Sequence, residues 1–440
     1  MTERPTPRFI RFTQLLVWFH RWAALILGVL LVVVSTSGAL VVYAPELLRA
    51  SNAELFRSTP SERPIDFTAA IDAIQESEPE FDPAEISLKD RVFMLTGAES
   101  ELTYFVDAGT GEVNGSGDLY GGVVGFLENL HDCGLTCEEF AGYTPWLASP
   151  SPVAGLAPFE EMTWGAVLLA MAGLAMVFLV FTAPFIWWPG LRKWRNAFRL
   201  RWRRGRFARD LDLHNVIGIV ALVPLLVWGL TGLNFEIPGF RGVWDSVTGG
   251  QSPQRGGRSR ARPTPPEDNY TMELSENADP PITLDQAIDS ATQRFPGARV
   301  TWVGMPAEDA EFYSIDLLDG GPNLRAHNAV YEGNRSVGVD ANDAQNVRVF
   351  LGPSQTVSNA IADDWAQPAL HYGTAVNGYW RALWFVLGLA PLLLLITGVS
   401  TWLYRRRVKR RRRAARQTQP VDGESNSILT ESATASNPMR

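Results

Sequence analysis

The sequence is poor in the residues and motifs that soluble redox enzymes use to hold cofactors. Its 440 residues include only 2 cysteines and 5 histidines. No C-x-x-C-H motif occurs, which excludes covalently attached c-type haem. There is also no G-x-G-x-x-G motif, no P-loop and no flavin motif, so nothing predicts a nicotinamide or nucleotide site. We expect no nucleic-acid partner.

Long apolar runs, in contrast, are abundant. Hydrophobic residues make up 46% of the chain, and a membrane span needs about 20 consecutive apolar residues. Four stretches are long enough: 13–43, 163–189, 211–236 and 379–404. The first could be a signal peptide, but its apolar core is too long and no clear cleavage site follows it. The sequence therefore predicts a polytopic membrane protein with four retained helices.

Charge is segregated along the chain, although the net charge is only −8. The loop 190–210 carries nine Lys and Arg, and the tail from Arg405 to Arg416 carries nine more. The segment 45–160 is instead strongly acidic. By the positive-inside rule, both termini and the basic loop are cytoplasmic and the acidic segment is external. We expect a multi-pass protein of the bacterial inner membrane with two periplasmic regions.

Both cysteines, Cys133 and Cys137, fall in the first external segment. An oxidising compartment permits disulfides, and a spacing of four suits a local bridge across a turn. A free reactive pair is the alternative reading.

The chain is built twice. His20 precedes Ser37 by seventeen residues, and His214 precedes Thr231 by the same interval. Thr182 lies five residues before Trp187, and Thr397 lies five before Trp402. Each external segment also ends in a Leu-His pair. The unit is a helix, an external domain, a Leu-His pair and a second helix, and internal repeats of this kind are a common membrane architecture.

Each external segment predicts a small α+β domain. In the first, a helix over DFTAAIDAIQESEP is followed by the strands RVFMLTG and LTYFVDA, with a turn at GTGE. In the second, a helix over ITLDQAIDSATQRF precedes the strands ARVTWVGMP and FYSIDLLDG. The predicted fold is thus membrane α-helical: a four-helix transmembrane bundle built from two repeats, with two small α+β periplasmic domains.

The predicted boundaries follow from these patterns. The segment 132–162 has no counterpart in the second copy and is interpreted as an insertion, a lid or partner surface. The polar stretch 250–281 and the end of the tail, residues 414–440, are predicted to be disordered. In chain order the regions are 1–44 (N-terminus and first span), 45–125 (first external domain), 126–162 (histidine segment and insertion), 163–189 (second span), 190–210 (basic loop), 211–237 (third span), 238–281 (linker), 282–365 (second external domain), 366–404 (histidine segment and fourth span) and 405–440 (tail).

Four of the five histidines occupy matched positions of the repeat. His20 and His214 lie near the cytoplasmic ends of their helices, and His131 and His371 lie next to the external ends. A polar ring inside a membrane helix costs free energy and indicates a function. Individually, each could be an ordinary interfacial, capping or surface residue. His327 has no repeat partner and is interpreted as a solvated histidine.

Two histidines at each of two depths suggest two sites with two imidazoles apiece. Zinc takes three or four protein ligands, so two histidines fit it poorly. Haem iron needs only two axial ligands, and a helix bundle accommodates the porphyrin. The pattern favours two non-covalent b-type haems, with His20 paired with His214 and His131 paired with His371 as iron ligands.

The sequence resembles the PepSY-associated transmembrane helix family, which includes membrane ferric-siderophore reductases of Gram-negative bacteria. The matching stretches are FHRWAALILG, DLHNVIG with LTGLNF, the two Leu-His pairs, ITGVSTW, and FVDAGTGEVNG, which matches the end of a PepSY domain. The strand VYEGNRSVGVD departs from the corresponding pattern in the second domain.

The resemblance implies an inner-membrane oxidoreductase that passes electrons through two haems to periplasmic ferric iron, as in ferric-siderophore uptake. The implied partners are the bilayer, a ferric siderophore or other ferric complex, and quinol or a cytoplasmic reductase as donor. Arg21 and Arg381 are candidate haem-propionate partners at the inner and outer sites, and interfacial arginines that set topology are the alternative. A binding module, or a sensor or accessory protein without turnover, is the competing functional class.

Overall fold

The computed structural model describes most of the chain. The described residues are 7–98, 102–157, 159–187, 198–240, 243, 272–275, 280–307, 311–321, 323–326, 328, 330, 332–352, 369–374 and 376–417. His327, most of the predicted linker and the end of the tail lie outside them.

Three helices are long and apolar enough to cross a membrane, and a bent pair supplies a possible fourth span. The first is α1 (Pro7–Val41), followed by the short α2 (Ala44–Ser51). The second is α6 (Trp164–Trp187), and the last runs through α10 (Gly378–Gly388) and α11 (Ala390–Gln417). The region 211–236, predicted as one straight span, is instead α7 (Arg206–Val220) and α8 (Leu222–Glu236), bent by 59°.

The membrane helices pack around a shared apolar core. Leu31 of α1, Met176 of α6 and Leu225 of α8 are buried together, with Ala221 at the bend and Ala390 at the start of α11. Small residues let the helix backbones approach closely. Such packing is what associates helices in a membrane, because the hydrophobic effect does not drive helices together in lipid. The four segments thus share one interior, and the outward-facing side chains are largely apolar and exposed.

Outside the membrane helices, the described residues form one eight-stranded antiparallel sheet. Its order is β4-β3-β2-β1-β5-β6-β7-β8, so each copy of the repeat contributes four consecutive strands. The strands are β1 (Pro83–Lys89), β2 (Val92–Gly97), β3 (Thr103–Asp107), β4 (Val113–Gly117), β5 (Arg299–Gly304), β6 (Phe312–Leu318), β7 (Arg335–Asp340) and β8 (Val347–Leu351).

The two predicted external domains are therefore joined through their first strands. β1 pairs antiparallel with β5, with Ile86 opposite Val303 and Ser87 opposite Trp302. Helices α3 (Phe67–Gln75) and α9 (Leu284–Arg294) cover one face, where the Thr68 hydroxyl donates to Asp285 at 2.8 Å. The sheet thus has one continuous core across both copies.

Local sequence explains where the two covering helices begin. Asp66 caps α3 by accepting from the Ala69 amide at 2.8 Å. Thr283 and Gln286 form a reciprocal capping box at the start of α9. Such caps satisfy amides that a helix leaves unpaired at its first turn, so both helices begin close to their predicted positions.

The opposite face of the sheet rests on the membrane-proximal helices. Met94 and Phe105 point away from α3 and pack against Ala44 and Leu48 of α2, with Val124 of α4 (Gly122–Glu128). This contact places the sheet at the end of the bundle where α1 finishes. We call this the sheet end, and the opposite end, where the α11 arginines emerge, the basic end.

Candidate functional site: two histidine pairs

The sheet-end pair consists of His131 and His371. His131 lies in a π-helical turn, Asn129–Cys133, which follows α4 directly. His371 closes an equivalent π-helical turn at 369–371, shortly before α10. Single π-helical turns occur frequently at functional sites because they redirect side chains. Here they bring the two imidazole rings to a centroid distance of 6.3 Å with an interplanar angle of 36°.

Each ring is fixed by a hydrogen bond from Nδ1 to its own repeat. His131 Nδ1 bonds the Val34 carbonyl of α1 at 2.8 Å, and His371 Nδ1 bonds the Thr231 hydroxyl of α8 at 2.6 Å. Ser37, the repeat counterpart of Thr231, donates to that same Val34 carbonyl at 2.9 Å. Both hydroxyl residues are buried.

The absence of a side chain at Gly38 makes room for the His131 ring. A Cβ added there would lie 2.3 Å from His131 Cε1, far closer than two carbons can approach. A Cβ at Gly232, the matching residue of the second copy, would meet nothing within 4 Å. The close approach of His131 to α1 therefore requires glycine.

Three indoles hold the turn that carries His371. The indole nitrogens of Trp380, Trp384 and Trp228 donate to three successive carbonyls, those of Ala369 (2.8 Å), Leu370 (2.8 Å) and His371 (3.1 Å). A buried carbonyl without a partner is costly, so these bonds stabilise a turn whose own hydrogen-bonding pattern is irregular.

The basic-end pair consists of His20 of α1 and His214 of α7. His20 Nδ1 bonds the Thr182 hydroxyl of α6 at 2.8 Å. His214 Nδ1 lies 3.1 Å from both the Thr397 hydroxyl and the Leu394 carbonyl of α11. The structure brings His131 and His371 together, as expected from depth. It places His20 and His214 at the same end of the bundle, and their pairing stays a prediction.

The hydrogen bonds also determine the tautomers. A carbonyl can only accept, so Nδ1 carries the proton in His131 and His214. Thr182 and Thr231 direct their own hydroxyl hydrogens to backbone carbonyls one turn back, so they accept from His20 and His371. In their neutral state, all four rings therefore present an unprotonated Nε2, the form that binds a metal.

Burial keeps His371 neutral. Desolvation is the main reason that the pKa of His371 is lowered to about 3; a positive charge on His131 also lowers this pKa, while Asp132 opposes the shift. A neutral ring is the state required of a ligand.

The two arginines predicted near these sites differ in their contacts. Arg21 follows His20 in α1, and its buried Nε atom has no hydrogen-bond partner among the described residues. Arg381 is instead bound by Glu46 and by the Val42 carbonyl at the end of α1, and its guanidinium lies 4.3 Å from the centroid of the Tyr43 ring. Arg381 therefore secures the helix end in this structure.

The disulfide lies directly beside His131. Cys133 and Cys137 are bonded to each other, and both residues are buried. The fully buried Asn129 amide donates to the carbonyls of Cys137, Phe140 and Ala141 and ties the start of the insertion to the His131 turn.

Sequence reasoning missed several residues that shape the sites. Thr182, Thr397 and Thr231 are among the residues that match between the two copies, but the sequence alone indicates no role for their hydroxyls. Gly38 stood next to Ser37 in the same match. Asp212, two residues before His214, is buried and bound bidentately by Arg201, which neutralises it near the basic end.

No group of three or more His, Cys, Asp or Glu side chains that could hold a metal occurs among the described residues. Each site therefore offers two imidazoles. No curated protein matches the chain. A family model described as the PepSY-associated TM region matches residues 17–405. Because this match covers most of the 440 residues, the chain belongs to that family of multi-pass membrane proteins.

Proposed function

We propose that the protein transfers electrons across the inner membrane through two b-type haems and reduces periplasmic ferric iron, with ferric siderophores as the substrate class. The observation that carries the proposal is the geometry of the sheet-end pair. Two imidazoles bound to one metal through Nε2, at metal–nitrogen distances of about 2 Å, have ring centroids roughly 6 Å apart. The rings of His131 and His371 are 6.3 Å apart.

The residues around both pairs fit haem. Four Nε2 atoms are available, and each opposing Nδ1–H is held by a buried hydroxyl or carbonyl, the outer-shell arrangement typical of metal-binding histidines. The orphaned Nε of Arg21 is a donor suited to a haem propionate. Bound at both pairs, haem would supply one-electron transfer between the two faces of the membrane.

The chain's own groups define what else the sites do. Two histidines would hold each haem iron, and the site would then transfer electrons without binding substrate or oxygen at the iron. A ferric complex would therefore dock outside the sheet-end pair, on the acidic external region, which favours neutral or cationic complexes. Reduction releases iron because hard oxygen ligands prefer the more highly charged ion.

Under this proposal, electrons enter the protein at the basic end. Quinol and a cytoplasmic reductase are the two candidate classes, since the chain contains no nicotinamide motif of its own. The expected orientation has both termini in the cytoplasm and the sheet in the periplasm.

A second candidate is a binding or sensor protein without turnover. The continuous eight-stranded sheet favours this second function, because an outermost strand such as β4 or β8 can pair with a strand added by a partner protein.

A visible spectrum of the purified full-length protein tests the proposal first. We expect a Soret band and α-bands on dithionite reduction, with two haem b per chain. His20→Ala and His214→Ala should remove low-spin character from one haem, and His131→Ala and His371→Ala from the other, while His327→Ala serves as the control. A protein without a Soret band would overturn the haem proposal.

Turnover is tested separately. Reduced protein mixed anaerobically with a ferric siderophore should reoxidise and yield Fe²⁺ that a ferrous chelator captures. Haem that stays reduced against several siderophore classes would favour the sensor function.

A further inference from the structure

A cleft opens at the basic end, away from both histidine pairs. It lies between the start of α7 and the part of α11 that follows the membrane span, and its volume is about 320 Å³. Its lining combines three apolar or aromatic side chains with three cations: Phe207, Tyr404, Val408, Arg405, Lys409 and Arg412.

The aromatic wall of the cleft is ordered by its own contacts. The rings of Phe207 and Tyr404 stack with centroids 4.9 Å apart and an interplanar angle of 26°. The Arg405 guanidinium lies 5.4 Å from the Phe207 ring centroid. Stacking of this kind holds a cation in place without neutralising it.

The three cations converge on one side of α11. Arg405, Lys409 and Arg412 are spaced by four and three residues, so a helix brings them onto the same face. All three are exposed. Among the described residues, none of them forms an ion pair with a carboxylate. The neighbouring acidic groups are already engaged, since Asp210 is bound by Arg206, Arg209 and Ser400.

The depth of the cleft matches the edge of a membrane. The apolar part of α11 ends at Tyr404, and Trp402 and Tyr404 are the aromatic residues typical of the interface. A molecule in the cleft would thus meet positive charge at the level where the apolar part of α11 ends.

We propose that this cleft binds the phosphate headgroup of an anionic phospholipid at the edge of the membrane. Basic pockets at the cytoplasmic ends of membrane helices attract anionic headgroups. The aromatic stack and the position of the cleft at the end of the apolar part of α11 favour a lipid over a soluble anion, which would use only the charges. The proposal does not depend on haem.

Native mass spectrometry of the detergent-solubilised full chain tests it. At equal concentrations, phosphatidylglycerol should remain bound and phosphatidylcholine should not. The variant R405Q/K409Q/R412Q should lose affinity for phosphatidylglycerol on the order of a hundredfold. The variant F207A/Y404A keeps every charge but lacks the aromatic wall, and it should weaken binding at least several-fold.

The matched control removes equal charge from the opposite side of the same helix. R407Q/R410Q/R411Q also neutralises three cations, and at 3.6 residues per turn these face away from the cleft. It should retain phosphatidylglycerol within about threefold of the unmodified protein. Equal losses in both triple variants would show diffuse attraction to the basic tail and overturn the proposal. So would equal retention of the two lipids, or displacement of the lipid by millimolar inorganic phosphate.

Discussion

At the scale of the residue, the direction of each imidazole is decided by the atom bonded to its Nδ1. Thr182 acts on His20, Thr397 and the Leu394 carbonyl on His214, Val34 on His131 and Thr231 on His371. Removing such a partner leaves the ring in place but frees its rotation and its tautomer. Outer-shell changes of this kind typically cost 10- to 100-fold in metal affinity.

Thr182→Val should therefore weaken haem binding at the basic end on the order of tenfold or more and leave the sheet-end haem unchanged. Thr231→Val should do the reverse. Haem loss is followed by transfer to an excess of apomyoglobin, with the two haems distinguished by their α-bands. Thr401→Val is the control, because its hydroxyl bonds only the Gly398 carbonyl. If Thr401→Val loses haem as fast as Thr182→Val, the hydrogen bonds from histidine to threonine do not determine haem affinity.

Gly38→Ala should displace His131, because the new Cβ would lie 2.3 Å from its ring. We expect loss of the low-spin spectrum of the sheet-end haem and destabilisation of about 1–3 kcal/mol, the usual cost of overpacking. Gly232→Ala makes the same change at the matching position of the other copy, where there is open space, and should keep both spectra. Two variants with the same spectrum would contradict the asymmetry seen between the copies.

The apoprotein should lose stability on acidification. The pKa of His371 is about 3 in the folded protein and about 6.5 when unfolded. Between these values the unfolded chain takes up a proton that the folded chain refuses, so stability falls as pH drops from about 6.5 towards 3. The melting temperature of apoprotein should decline over pH 7 to 4, and less steeply in His371→Gln. Parallel declines in the two proteins would exclude His371 as a contributor.

At the scale of the element, the sheet depends on the contact between β1 and β5. These strands form the centre of an eight-stranded sheet, whereas β4 and β8 are its outermost strands. Amides at the centre of a sheet open only in large unfolding events, while those at the edges open locally.

Hydrogen exchange should therefore show slow exchange of the amides in 83–89 and 299–304, and faster exchange in 113–117 and 347–351. The measurement uses the full chain in detergent with mass-spectrometric detection of peptides. Edge-like exchange in both β1 and β5 would mean that the two copies form separate domains in solution.

The sequence predicted the individual elements better than their junctions. Apolar length alone located the membrane segments, and alternation located β2, β3, β5 and β6. It did not predict β1, whose PAEISLK has weak alternation and whose partner, β5, lies more than two hundred residues away. The bend at Ala221 was also missed, although Pro224 marks it: proline has no amide hydrogen to donate to the Val220 carbonyl, and a proline inside a helix kinks it about one turn earlier.

For the site, the repeat predicted that His131 and His371 lie together, and their rings are 6.3 Å apart. The role of the four histidines as ligands stays a prediction. The hydrogen-bond partners could not be assigned in the same way, since Val34 contributes a carbonyl that every residue possesses. The contacts of Arg381 were likewise unpredictable, because its partner Glu46 lies at the far end of the chain.

At the scale of the whole molecule, each site is assembled from one histidine of each copy. Every imidazole is braced by a helix of its own copy, yet each pair takes one ring from each copy. Expressed alone, residues 1–198 or 199–440 would hold correctly directed single imidazoles but no complete ligand set. We expect neither fragment to show a bis-histidine spectrum, and the two co-expressed fragments to recover it. A bis-histidine spectrum from one fragment purified as a monomer would contradict this division.

That division has a consequence for how such a chain could arise. A half-length protein with these braces already contains everything needed to orient its rings. It would gain both ligand sets at once by associating with an identical copy in the same orientation, about a two-fold axis perpendicular to the membrane plane. Fusing the two subunits then frees each to change alone, and the insertion after His131 and the bend at Ala221 are differences that a symmetric dimer could not hold on one side only.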